Sequence, residues 1–443
     1  MKYEPTLHKL PNGVTVILDP MDAATVAISV QINTGGRDEK PSEAGITHFC
    51  EHMLCAGTKR FSDWNSIQDY VADNAGTINA YTNKNCVTLH GTVLAENADV
   101  LLDVFADQLQ NSLFDAAAME RERTAIQDEL RRALDDEGRK KWEFVYNTIY
   151  GGAYSMYSVL GPRENLQSFS RKQLKMYWAR RMSGKNCVIC VSGKIDNPDQ
   201  MLTNIAQRFG WMPSFDVPSK APVVSYTPGV AHLSRPGKNN TELFIGIPSA
   251  CQGITIDNRY QRMCISRFNQ YLCDEMFRVL RMENGLVYGV SWTNRGSDDA
   301  RINGFMTTAL PENVSRAVAL MAQTTHSALT TNQITDEFLK RCASRDRLDD
   351  ARWLESPERR RDKLQDTYFD YGNLYDFYGT ARMSSQMTVA DVIKYTRDYL
   401  DRPVSIISGG ANYDADVMQI WRDNIGHNDV NPMILAKNNG KTL

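Results

Sequence analysis

Three residues between positions 48 and 52 have the types and the spacing of a metal site. His48, Glu51 and His52 form the pattern H-x-x-E-H within the segment from Gly45 to Thr58. On a helix the two histidines are four residues apart, so that both imidazoles project from one face. Two neutral imidazoles at this spacing suit one Zn²⁺, and Glu51 lies beside them to take a proton from a bound water. The alternative is a pair of surface histidines, but the rest of the helix is apolar and a buried polar face needs a compensating ion.

A charged segment further along the chain contains the best candidates for a third ligand. A catalytic zinc has three protein ligands and an open position for water. Glu122 and Glu129 lie in the segment from Glu120 to Leu130 and are seven residues apart. Two helical turns separate them, and they therefore share a helix face. Taken alone, a charge run of this kind is usually a solvated face.

The elements around these motifs recur, which indicates an internal duplication. Ser170 to Gly193 and Thr388 to Gly409 both contain a Ser/Thr cap, an amphipathic helix and an apolar strand ending in Ser-Gly, at an offset of 216 to 218 residues. A helix from Asn97, with leucine or phenylalanine at every fourth position from 101 to Leu113, has a counterpart that starts at Asn313.

Each half of the sequence therefore predicts the same α+β unit, in which a largely antiparallel sheet packs with helices. The alternating strand Thr25 to Ile32 recurs as Thr241 to Ile247. A proline-rich stretch from Met212 to Pro236 is the natural linker. We predict a domain with the metal motif over residues 1–215 and a homologous domain over residues 216–443.

Composition excludes several classes of protein. The chain has 443 residues and a net charge of −3, which argues against a nucleic-acid binder. With 42% hydrophobic and 23% charged residues it is not a disordered protein. No apolar run is long enough for a membrane span. The first residues are neither a signal nor a transit peptide, so we expect a cytoplasmic protein or a chain that is already processed.

The nine cysteines are scattered along the chain and are expected to be reduced thiols. Cys187 and Cys190 lie three apart in an apolar strand, so their side chains should point to opposite faces. Cys50 and Cys55 flank the second histidine of the motif. We expect them to be small core residues, and the alternative is a role as a ligand of a second site or as an oxidation-sensitive thiol.

Taken together, these motifs resemble the pitrilysin/insulinase family of zinc peptidases, and most of all its ~50 kDa branch. That branch contains the mitochondrial processing peptidase subunits and their bacterial relatives. The resemblance covers essentially the whole chain, through the H-x-x-E-H helix, the duplicated architecture and several short segments. These segments are Leu10-Pro11-Asn12-Gly13-Val14, Gly35-Gly36-Arg37, Gly57-Thr58, Asn79-Ala80-Tyr81-Thr82 and the helix with Glu122 and Glu129.

The resemblance assigns roles to the two glutamates. In the family the third zinc ligand is the glutamate 77 residues after the second histidine, which here is Glu129. Glu122 matches a companion glutamate that supports the site. The second copy has Cys264 and Arg345 where the first has His48 and Glu129, and one Zn²⁺ per chain is therefore expected.

Two further groups of residues are expected to contact a peptide substrate. Gly76 to Val93 reads as a hairpin, and its first strand is a candidate edge strand that can bind an extended peptide by backbone hydrogen bonds. Relatives use the Asn-Ala-Tyr-Thr strand in this way, which points to Asn79, Ala80 and Tyr81. Arg281 and Tyr288 could be surface residues, but they resemble a family Arg…Tyr pair that reaches the substrate near the scissile bond.

The predicted function is a zinc-dependent endopeptidase that hydrolyses peptides or unstructured segments such as presequences, with Glu51 as the general base. The resemblance also implies a dimeric, clamshell-like chamber, formed by a homodimer or by a heterodimer with a related subunit. Two alternatives remain: a non-catalytic scaffold that retains the peptidase fold, and a module that captures peptides without cutting them.

Overall fold

The computed structural model describes residues 4–151, 159–218, 225–250, 259–297, 300–331, 334–400 and 402–425. Part of the predicted linker, residues 219–224, lies outside these ranges, as does Cys251. No helix within the described ranges combines the length and the apolar character needed to cross a membrane.

The first half of the sequence forms a six-stranded sheet, sheet 1. Its order is β1-β2-β6-β3-β5-β4, and every neighbouring pair is antiparallel except β2 and β6. The strands are β1 (Thr6–Lys9), β2 (Thr15–Pro20), β3 (Thr25–Ile32), β4 (Gly76–Thr82), β5 (Val87–Leu94) and β6 (Cys187–Gly193). Strand β4 is an edge strand, as the hairpin pattern predicted.

The second half forms a five-stranded sheet, sheet 2, with the order β7-β11-β8-β10-β9. Again one neighbouring pair, β7 with β11, is parallel, and the others are antiparallel. The strands are β7 (Val230–Ser234), β8 (Thr241–Ala250), β9 (Val287–Ser297), β10 (Ala300–Ala309) and β11 (Ser405–Gly410). Strands β7-β11-β8-β10-β9 of sheet 2 have the same arrangement as strands β2-β6-β3-β5-β4 of sheet 1. The predicted α+β class with two mostly antiparallel sheets is confirmed.

Fifteen α-helices lie in the described residues. They are α1 (Ile46–Cys55), α2 (Trp64–Asp73), α3 (Ala98–Asn111), α4 (Ala116–Asp135), α5 (Glu137–Tyr150), α6 (Arg163–Ser168), α7 (Arg171–Ala179), α8 (Pro198–Phe209), α9 (Arg259–Phe277), α10 (Val314–Thr330), α11 (Asp336–Leu354), α12 (Pro357–Tyr371), α13 (Gly379–Gln386), α14 (Val389–Leu400) and α15 (Val417–Ile425). Helix α3 ends before Leu113, which is exposed, so the apolar stripe expected to reach that residue stops one turn earlier.

The two faces of sheet 1 differ in character because its side chains alternate between them. One face is apolar and packs against helices such as α1 and α3 in the main core. The other face is covered by α12 and contains polar groups, including the buried ion pair between Asp19 and Arg360. Cys187 belongs to the first face and Cys190 to the second, as predicted. The eight cysteines of the described residues are free thiols.

Two compact units result, and they are not contiguous in sequence. Unit 1 comprises Met1–Arg139, Tyr157–Pro222 and Asp350–Phe377, and unit 2 comprises Lys140–Met156, Val223–Asp349 and Tyr378–Leu443. Helix α12 of the second half thus packs on sheet 1, and α5 of the first half packs on sheet 2, where Trp142 contacts Phe244. The predicted domain boundary between residues 215 and 216 describes the duplicated sequence and remains a prediction. It does not coincide with the compact units, because one helix of each half packs with the sheet of the other half.

Candidate metal centre

Helix α1 presents the H-x-x-E-H residues on one face because its other face is buried in the core of unit 1. Ile46, Phe49 and Met53 are almost completely buried there. The helix begins after Gly45, whose φ is +91°, in the left-handed region that favours glycine. A Cβ atom at Gly45 would lie 2.4 Å from the carbonyl oxygen of Leu160, so no larger residue fits at this position.

The structure brings the three expected ligands together. The Nε2 atom of His48 is 3.6 Å from one carboxylate oxygen of Glu129, and the Nε2 atom of His52 is 3.7 Å from the other. One donor atom from each of the three residues lies within 4.8 Å of the other two. In the part of the chain that the structure describes, this is the one cluster of three or more His, Cys, Asp or Glu donors at such distances.

These separations fit a shared metal ion better than direct hydrogen bonds. Distances of 3.6 and 3.7 Å between nitrogen and oxygen exceed the range of a hydrogen bond. Donor atoms of a tetrahedral zinc site, with bonds of about 2.0–2.2 Å, lie roughly 3.3–3.6 Å from one another. Two imidazoles and one carboxylate are also a donor set found in catalytic zinc sites. The residues present therefore fit Zn²⁺.

Glu122 contacts His52 at Nδ1, the ring nitrogen that does not face the cluster. Its carboxylate oxygen lies 2.8 Å from Nδ1 of His52, which is hydrogen-bond distance. A carboxylate in this position keeps the proton on Nδ1 and leaves the lone pair of Nε2 for a metal. The contacts of His52 with Glu122 and Glu129 outweigh burial and raise its pKa, whereas burial and the neighbouring His52 lower the pKa of His48.

Glu51 lies beside the cluster without being part of it. Its carboxylate is 4.0 Å from Nε2 of His48 and accepts a hydrogen bond of 2.8 Å from the hydroxyl of Thr82, at the end of strand β4. Burial raises the pKa of Glu51, although His52 and the Thr82 hydroxyl oppose this rise. A raised pKa brings a carboxylate closer to the range in which a general base works at neutral pH.

The three residues expected to bind substrate lie on the edge strand β4. The side chains of Asn79 and Tyr81 are exposed, and alternation along the strand places them on the face opposite to Thr82. The Tyr81 ring packs against His90, with ring centroids 5.6 Å apart. The amide of Ala80 donates to the side chain of Asn79. Thr82 therefore approaches Glu51, whereas the side chains of Asn79 and Tyr81 face away from Glu51.

Arg281 and Tyr288 are brought together, but in unit 2. Arg281 lies in a π-helical turn, Arg278–Glu283, and its guanidinium is 5.4 Å from the centre of the Tyr288 ring. Tyr288 is 86% exposed at the start of edge strand β9. The pair is therefore an exposed feature of unit 2, whereas the histidine cluster belongs to unit 1.

Two residues near the cluster were missed by the sequence analysis. Thr82 belongs to the Asn-Ala-Tyr-Thr segment but was given no role, although its hydroxyl contacts Glu51. Glu39 is a carboxyl group that accepts hydrogen bonds from the backbone at the start of α1. Its position in a loop gives no pattern from which this contact could be predicted.

The duplicated α+β fold and the His₂Glu cluster with an adjacent glutamate have the arrangement found in zinc peptidases. Residues 15–163 match the family described as "Insulinase (Peptidase family M16)", and residues 168–345 match the "Peptidase M16 inactive domain". Together these matches cover well over half of the chain. The chain belongs to the insulinase family, peptidase family M16, as the sequence resemblance indicated.

Similar sequences come from bacteria and mitochondria. A protein of Rickettsia bellii described as an "Uncharacterized zinc protease" is 26% identical over 296 residues, which cover 66% of this chain and 71% of that protein. The mitochondrial-processing peptidase subunit beta of Blastocladiella emersonii is 29% identical over 211 residues, 46% of this chain and 44% of that protein. These relatives support a peptidase function.

Solved structures share the fold. A protease from Helicobacter pylori aligns with a TM-score of 0.76 at 18% identity, covering 92% of this chain and 99% of that one. A peptidase M16 inactive domain from Pseudomonas fluorescens aligns with a TM-score of 0.80 at 16% identity, covering 93% and 99%.

Proposed function

We propose that this chain is a zinc-dependent endopeptidase that hydrolyses flexible peptides or unstructured segments such as presequences. The observation that carries the proposal is the convergence of His48, His52 and Glu129 with the Glu51 carboxylate 4.0 Å from His48. A scaffold has no need for this set, because a buried polar cluster without an ion costs stability. A module that only captured peptides would not need a carboxylate beside the cluster.

In this mechanism His48, His52 and Glu129 hold the ion. Zn²⁺ bound there would polarise the scissile carbonyl and lower the pKa of a water molecule. Glu51 accepts the proton of the attacking water and passes it to the leaving amine. Glu122 keeps His52 in the tautomer that presents Nε2.

The substrate is bound as an added strand. An extended peptide pairs with the backbone of Asn79, Ala80 and Tyr81 on edge strand β4, so its sequence matters less than its flexibility. A segment held in a folded domain cannot present its backbone in this way. Flexible chains are therefore the expected substrates.

Arg281 and Tyr288 complete the site in a dimer. Both can donate hydrogen bonds to a substrate backbone or to the developing oxyanion, and donors of this kind contribute about 3–4 kcal/mol to catalysis. Their exposure in unit 2 supports a composite site in which one chain supplies the pair to the cluster of another. A homodimer suffices, because each chain has both sets, and a heterodimer with a related subunit is the second form.

The experiment combines metal analysis with one substitution. We expect about one zinc per purified chain, cleavage of a flexible peptide, and loss of cleavage on chelation that added zinc reverses. Glu51→Gln should retain zinc and lower kcat by about 10²–10⁴-fold, because an amide cannot accept the proton. Glu120→Gln is the matched control, since Glu120 lies on α4 with an exposed side chain. Absence of zinc at neutral pH without chelator would support the scaffold instead, and substantial turnover by Glu51→Gln would contradict the general-base role.

A further inference from the structure

The start of helix α1 is capped by a residue outside the helix. The first N–H groups of a helix have no partner within it, and the side chain of the N-cap residue normally accepts from one of them. Gly45 occupies the N-cap position and has no side chain, and the close approach of Leu160 excludes any other residue there. The two oxygens of Glu39 replace that cap, because they accept from the amides of Gly45 at 2.9 Å and Thr47 at 2.8 Å.

The capped turn contains a proposed metal ligand. Thr47 is the second residue of α1 and His48 is the third, so the turn that Glu39 holds includes the first histidine. The Thr47 hydroxyl also forms a 2.6 Å hydrogen bond with the hydroxyl of the buried Tyr177 on α7. The position of His48 thus depends on contacts made by its neighbour in the chain.

The segment from Gly35 to Thr47, which contains Glu39, also contacts the turn after strand β4. The amides of Gly36 and Arg37 donate to the carbonyl oxygens of Asn83 and Lys84, in the turn that follows β4. A Cβ atom at Gly35 would lie 2.4 Å from the Lys84 backbone, so this contact is close. Residues 35–47 therefore connect the hairpin turn after β4 to the first turn of α1, with Glu39 between the two attachments.

We propose that Glu39 is a positioning residue of the metal centre: its carboxyl group caps α1 from outside and fixes His48 and Glu51 relative to strand β4. The inference rests on the proposed peptidase function for its catalytic part. Its effect on zinc binding can be measured without that function. Burial raises the pKa of Glu39 to about 8 even though both amides oppose the rise, which means that placing this carboxyl here costs stability. A surface cap would avoid that cost.

The test compares two helix caps in the full-length protein. Glu39→Ala removes the cap of α1, and Asp63→Ala removes that of α2, where Asp63 accepts from the amide of Ser66 at 2.9 Å. Both variants should lose stability, since a lost cap costs about 1 kcal/mol. Only Glu39→Ala should weaken zinc binding, by about 10–100-fold in a competition with a chromophoric chelator, and lower kcat with little change in KM. Asp63→Ala should leave the zinc affinity and kcat within about twofold of the parent protein.

Hydrogen exchange gives a readout that needs neither metal nor activity. In the metal-free protein, Glu39→Ala should raise amide exchange in the peptide covering Gly45 and Thr47, and Asp63→Ala should not. Glu39→Gln retains one carbonyl acceptor and should give intermediate exchange and an intermediate zinc affinity, which keeps the test open if the alanine variant fails to fold.

The outcomes separate the two proposals. Parental exchange and zinc affinity in Glu39→Gln, or equal effects of Glu39→Ala and Asp63→Ala on zinc affinity, would overturn the positioning role. If the parent protein cleaves no peptide but Glu39→Ala still loosens α1 and weakens zinc binding, the positioning role stands and the peptidase proposal fails.

Discussion

The two units share a fold, but the helix that bears the metal motif in unit 1 has a different chemistry in unit 2. Helix α9 has Cys264, Arg267 and Phe268 where the repeat offset places His48, Glu51 and His52. Cys264 and Phe268 are completely buried in the core of unit 2, and the Arg267 guanidinium forms an ion pair with Asp346 on α11. The polar cluster is therefore not required by the fold.

This difference identifies the part of unit 1 in which polar groups replace apolar packing. In unit 2 the equivalent face is filled with apolar side chains and one ion pair, whereas unit 1 keeps a buried and a half-buried histidine close to a buried carboxylate. Proteins tend to keep such unfavourable groups where chemistry needs them. The match of residues 168–345 to an inactive domain agrees with the contrast.

The largest expected effect comes from placing glutamine at two equivalent positions, one in each unit. Glu51→Gln should lower kcat by about 10²–10⁴-fold and leave the metal-free protein at least as stable, because it removes a buried carboxyl with a raised pKa. Arg267→Gln should keep kcat within about threefold and lower the free energy of unfolding by about 2–4 kcal/mol, because Asp346 loses its partner. Peptide cleavage and urea unfolding measure the two effects. A loss of activity in Arg267→Gln without a loss of stability would break the contrast.

A smaller effect tests whether the two units cooperate between chains. In the proposed homodimer, the Glu51→Gln chain and the Tyr288→Phe chain should each be poorly active alone, since every site lacks one group. After mixing and subunit exchange, half of the dimers are mixed, and each has one intact site, so about a quarter of the parental activity should return. Native mass spectrometry confirms the exchange. No recovery despite mixed dimers would contradict a shared site and leave each chain with its own.

Local patterns predicted the parts of this structure that depend on short segments. The i, i+4 spacing of His48 and His52 placed them on one face of α1, and the alternating hairpin placed β4 at a sheet edge. Glu129 could be selected only through the family resemblance, because a charged helix does not show which carboxylate faces the histidines.

Other features depend on contacts that sequence does not contain. The apolar face of a helix does not show which sheet it covers, so the exchange of α5 and α12 between the halves could not be predicted. The same holds for Glu39, which contacts the first turn of α1 across a loop. The end of α3 before Leu113 shows a further limit, since helix boundaries are less well determined than helix periodicity.

The last expected effect is a pH dependence that follows from the stability cost of Glu39. Its usual pKa is 4.5, and burial raises it to about 8 in the folded protein. Between these pH values the native state binds more protons than the unfolded state, so the contribution of this group to stability falls as the pH rises. Glu39→Gln cannot titrate, and its stability relative to the parent protein should therefore increase from pH 5 to pH 8, by at most about 1.4 kcal/mol per pH unit.

Unfolding by urea in the presence of a chelator measures this difference without a contribution from zinc. The charged or titratable groups that act on Glu39 are Glu43 in the loop before α1, Cys50 on α1 and Tyr177 on α7, and Arg180 forms an ion pair with Glu43. All four are unchanged in Glu39→Gln, so their own titration largely cancels in the comparison. A stability difference that stays constant from pH 5 to pH 8 would mean that Glu39 is charged throughout, and that capping α1 carries no burial cost in unit 1.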